Sequence, residues 1–180
     1  SSDLVLYAFL LSNNSTVTEY LTARGKNNRP ETETLQTIRN IGSLNTYISS
    51  IVLYNHVNDT YLSSEASFDM KLFLKAFLKN SAENLPAQAK QKAVFAYYDP
   101  DRSGDNGGPD YLSMVYYILN KYTQTYYCVV FNLDTEKIGT GILGDTRENA
   151  YLVNEFGSIV AAHSGTAPVT SIPFSWIKKA

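Results

Sequence analysis

Three pairs of adjacent tyrosines, Tyr97-Tyr98, Tyr116-Tyr117 and Tyr126-Tyr127, lie among the 14 tyrosines of this 180-residue chain. Each pair falls in its own segment of β-branched and aromatic residues. Neighbours on a strand point to opposite faces of a sheet, so each pair offers one ring to either side. A tyrosine joins a large apolar ring to a hydroxyl, which suits it to the wall of a site for a small polar molecule. It is also simply a good strand former, and both readings stand. By strand parity Tyr111, Ser113, Val115 and Tyr117 share one face, with Tyr98 and Tyr127 joining them from neighbouring strands. The residues expected to touch a ligand are therefore Tyr98, Tyr111, Ser113, Tyr117 and Tyr127.

Other chemistry finds less support. A hydrolytic nucleophile needs a base within hydrogen-bond reach, and the only histidines are His56, in a polar corner, and His163, at a strand end. There is no Gly-x-Ser-x-Gly elbow, no phosphate-cradling Gly-Lys-Ser/Thr loop and no His-Glu-x-x-His pair. No catalytic residue, enzyme activity or cofactor is assigned. Asp99, Asp101, Ser103, Gly104, Asp105 and Asp110 occupy the first, third, fifth, sixth, seventh and twelfth places of a calcium-loop template. A strand precedes them instead of a helix, Pro109 stands where a helix should begin, and Asp110 replaces the usual glutamate. The segment reads as a solvated loop of turn formers, and no metal is assigned. The single cysteine, Cys128, excludes an internal disulfide and lies in an apolar run, as a buried structural thiol would.

The bulk numbers exclude further classes. With 15 basic and 17 acidic residues and no basic cluster longer than Lys178-Lys179, the chain has no electrostatic footprint for nucleic acid. Hydrophobic residues at 44% and charged residues at 18% indicate a folded chain. No apolar stretch reaches the ~18 to 20 residues needed to cross a bilayer.

The elements that must position the tyrosines follow from hydrophobic period. Leu4, Tyr7, Ala8 and Leu11, then Val17, Tyr20 and Leu21, predict two helical pieces joined at the polar knot Asn13-Asn14-Ser15-Thr16. Leu35, Ile38, Ile41 and Leu44 predict a third helix over 31–44, with proline at its first turn. Residues 47–54 and the segment from Thr60 read as a hairpin, and 68–80 as a helix carrying Lys75 and Lys79 in its last turn. Strands are expected at 93–98, 111–119 and 126–133 as a meander. Asp134 should cap a short helix reaching Leu143, and a hairpin should turn around Glu155-Phe156-Gly157. The sum is an α+β fold: an antiparallel sheet of about five to six strands packed on N-terminal helices, its other face free to hold a ligand. Residues 1–30 form an N-terminal helical segment, 31–165 the main domain and 166–180 a tail.

Several segments, in order, resemble the Cache family of extracytoplasmic sensor domains, whose fold is similar to PAS. They are the helix ending at Leu44 that leads into Tyr47-Ile48-Ser49-Ser50-Ile51-Val52-Leu53-Tyr54-Asn55, the answering Tyr61-Leu62-Ser63-Ser64, Val129-Val130-Phe131-Asn132-Leu133-Asp134, and the stretch from Tyr151 to Val160. The resemblance spans roughly Leu35 to His163. It is nearest to the membrane-distal lobe of sensor regions in membrane-bound AraC-type transcriptional regulators and histidine kinases of Gram-positive bacteria. It implies a domain on the extracellular side of the cell membrane, anchored by flanking spans outside this chain, that binds a small molecule, signals to an intracellular output domain and can form a homodimer. The amino-acid-sensing members carry an arginine beside a Trp-Tyr pair. Here the only tryptophan is Trp176, in the tail, and Arg102 lies in the polar loop. Two other readings stay open: a carbohydrate or surface-binding module without signalling, and a dimerisation spacer without a ligand.

Overall fold

The computed structural model describes residues 2–23, 30–55, 60–65, 93–98, 111–120, 125–141, 150–153 and 159–163. The expected helix over 68–80, His56 and the Asp99 to Asp110 loop lie outside the described residues.

Two helices, α1 (Ser2–Ser12) and α2 (Ser15–Thr22), meet at the expected polar joint. The Phe9 carbonyl accepts from the Asn13 backbone N–H (3.1 Å), Asn13 Nδ2 (2.8 Å) and Ser12 Oγ (2.8 Å), which ends α1. Asn14 Oδ1 then accepts from the Val17 backbone N–H at 3.1 Å and starts α2. Short polar side chains offer the backbone these local alternatives, so four of them in a row break the helix. In α2 the buried residues are Val17, Tyr20 and Leu21, spaced as one helix face. In α1 Leu4, Ala8 and Leu11 are buried, while Val5, Leu6, Phe9 and Leu10 are exposed.

The third helix, α3 (Glu31–Gly42), ends two residues before Leu44. The backbone N–H groups of Ser43 and Leu44 donate to Arg39 and Ile41 in a closing turn. That turn carries Leu44 off the buried stripe and leaves it 64% exposed, so the interval-of-three pattern overran the helix. Pro30 sits at the N-cap, one place before the first helical residue. Thr34 is fully buried, and its hydroxyl lies 3.4 Å from the Thr16 carbonyl, tying α3 to α2.

Five strands follow: β1 (Ile48–Asn55), β2 (Thr60–Ser63), β3 (Ala93–Tyr98), β4 (Tyr111–Asn120) and β5 (Thr125–Leu133). All their pairings are antiparallel, in the order β2-β1-β5-β4-β3. Strands β3, β4 and β5 form the expected meander, and β1 closes against β5. Between Ile48 and Ser50 the register of β1 shifts by a bulge at Ser49, whose hydroxyl donates to the Asn132 carbonyl at 3.1 Å.

The sheet packs one face on the helices. Ile48, Ile51 and Leu53 of β1, Met114 of β4, and Tyr127, Val129, Phe131 and Leu133 of β5 form one core with the buried residues of α1, α2 and α3. Leu11, Ile38, Ile51 and Phe131 are withdrawn from water almost completely. Each such side chain contributes about 1.5–3 kcal/mol of transfer free energy before the cost of ordering it. Asn55 ties the end of β1 to the end of α2 through Nδ2 and the Leu21 carbonyl, 2.6 Å apart.

A short helix, α4 (Thr135–Gly141), is capped by Asp134 as expected. The Lys137 backbone N–H donates to Asp134 Oδ1 at 2.9 Å, and Lys137 Nζ lies 3.3 Å from Oδ2. The backbone bond from Lys137 is the chief cause holding the Asp134 carboxyl below its ordinary value. The Asp134 N–H donates to the Tyr47 carbonyl at 2.9 Å, locking the cap to the start of β1. At the other end of α4, a Cβ on Gly141 would fall 2.7 Å from the Tyr47 hydroxyl. Strands β6 (Ala150–Val153) and β7 (Ile159–His163) pair antiparallel in a separate two-stranded sheet, with β7 alongside α4. The described part of the chain is thus α+β with its main sheet antiparallel.

Candidate functional site

The face of the sheet turned away from the helices carries the polar side chains. Its residues follow from register and parity: Ser50, Val52 and Tyr54 on β1, Cys128, Val130 and Asn132 on β5, and Ser113, Val115 and Tyr117 on β4. Each is buried and stands outside the helix-side core. None of the five strands contains Asp, Glu, Lys, Arg or His.

These residues fall in rows across the strands. One row is polar: Ser50 pairs with Asn132, and Asn132 with Ser113. Asn132 Nδ2 donates to Ser50 Oγ at 2.8 Å, and Ser113 Oγ donates to Asn132 Oδ1 at 2.7 Å. The row is dry, with Asn132 and Ser113 at 0% exposure and Ser50 at 2%. The next row is apolar, Val52, Val130 and Val115. Beyond it Tyr54, Cys128 and Tyr117 lie side by side, and at the opposite margin Tyr98 pairs with Tyr111. The face is a neutral stripe of small hydrogen-bonding residues and valines between two rows of tyrosine positions.

Burial pushes the Cys128 thiol up to about 12, so it stays protonated at neutral pH and is a poor nucleophile. Among the described residues no group of three or more His, Cys, Asp or Glu side chains is placed to hold a metal ion. His163 ends β7, away from the polar row in sequence and in a different sheet. No helix among the described residues is long and apolar enough to cross a membrane.

Of the expected ligand-facing residues, Tyr98, Tyr111, Ser113 and Tyr117 share this face by register, with Tyr98 directly opposite Tyr111 and Ser113 in the polar row. Tyr127 does not join them. It pairs with Ile118 and Asn55, one place out of parity with Cys128, and is buried in the core against the helices. Tyr127 therefore lies on the face opposite to the one expected, a one-residue register effect. Two residues of the polar row, Ser50 and Asn132, were not among those expected. Asparagine is depleted in strands, so Asn132 inside Val129-Val130-Phe131-Asn132-Leu133 is the signal that marks it: a buried amide there needs partners across both neighbouring strands.

No protein-family model and no curated protein matches this chain.

Proposed function

We propose that this chain is the extracytoplasmic ligand-sensing domain of a membrane-anchored signal-transduction protein, binding a small molecule on the sheet face that carries the Ser50, Asn132 and Ser113 row. The PAS-like arrangement, with a sheet of five to six strands, and membership of the Cache family belong to this proposal. The observation that carries it is the dry polar row itself. A sheet face meant only for packing has no use for an asparagine and two serines at its centre, where apolar residues of similar shape serve as well. Tyr98 and Tyr111 stand at the register position on one side of the row, and Tyr117 lies beyond the valines on the other. A bound molecule signals only through its preference for one of two domain states, and ~1 to 3 kcal/mol of differential affinity is enough. A thermal-shift screen of metabolites, sugars and cell-wall fragments, repeated on the Tyr111→Ala/Tyr117→Ala variant, tests the site. Hits that raise the melting temperature of the parent and not of the variant support it. Equal shifts in both place the ligand elsewhere.

A second reading, a dimerisation spacer, is favoured by one observation: Val5, Leu6, Phe9 and Leu10 leave an apolar stripe on α1 between 43% and 55% exposed. It predicts a dimer by analytical ultracentrifugation, with no ligand found by native mass spectrometry and no thermal response to the screen.

A further inference from the structure

We draw no further inference here: the strongest candidate, the exposed apolar stripe of Val5, Leu6, Phe9 and Leu10 on α1, carries nothing beyond the dimerisation reading, because nothing in the structure shows what covers it.

Discussion

Replacing Asn132 with leucine keeps the number of side-chain heavy atoms and their branching and removes the group that joins three strands. Two bonds are lost, at 2.8 Å to Ser50 and 2.7 Å from Ser113. The two serine hydroxyls remain, at 2% and 0% exposure, with no water to replace the amide. A buried polar group left unsatisfied costs about 1–3 kcal/mol, so the single substitution should cost about 2–6 kcal/mol. Removing the orphaned hydroxyls as well, in Ser50→Ala/Asn132→Leu/Ser113→Ala, eliminates that desolvation cost. The triple variant should therefore be more stable than Asn132→Leu alone, although it carries more substitutions. Urea unfolding followed by circular dichroism measures both, with the slope against denaturant checked for constancy. If Asn132→Leu costs less than about 0.5 kcal/mol, or if the triple variant is the least stable of the series, the bonds from Asn132 to the two serines do not hold the row together as the geometry implies.

Three further outcomes follow from the same geometry. The Cys128 thiol rises from 9.0 to about 12 on folding, so its contribution is complete below pH 9 and is lost as the pH climbs towards 12. The loss amounts to about 1.4 kcal/mol per pH unit, roughly 4 kcal/mol in all, and a Cys128→Ala variant should show a correspondingly shallower alkaline decline in its urea midpoint. For Asp134, whose carboxyl is held below its ordinary value, the stabilisation is present above the unfolded-state pKa and disappears as pH falls through the lower folded value. Asp134→Ala should cost about 1 kcal/mol at pH 7, and the difference from the parent should shrink in acid unfolding experiments. Gly141→Ala, which in an open helix would stabilise by about 0.5–1 kcal/mol, should destabilise here because the new methyl meets the Tyr47 hydroxyl. Thermal denaturation should show part of that loss recovered when Tyr47→Phe is added.

Local signals were the legible ones. Asn13 and Asn14 announced the break between α1 and α2, and Asp134 announced the start of α4, because caps act over three or four residues. The strands were legible for a related reason: their β-branched and aromatic runs are long and uncharged. What pairs with what was less so. Partnership of β1 with β5 joins residues some eighty positions apart, and no local pattern encodes that distance. The misplacement of Tyr127 has the same origin. Parity within β4 fixed Tyr111, Ser113 and Tyr117 relative to one another, but their relation to β5 depends on which residue stands opposite which. Leu44 shows the converse: a periodic pattern continued into a turn whose backbone bonds had already ended the helix. Asn132 was visible as an anomaly, yet its meaning required its neighbours on both sides.

The most direct test of a ligand on the sheet face is to watch its valines. Selective methyl labelling of valine and leucine, followed by nuclear magnetic resonance during titration with a compound that raises the melting temperature in the thermal-shift screen, reports both faces in one experiment. Val52, Val115 and Val130 face the proposed site, whereas Leu53 and Val129 face the helices. Saturable shifts concentrated on the first three are the predicted result. A titration that moves the helix-side methyls alone, or none of the five, contradicts binding at this face.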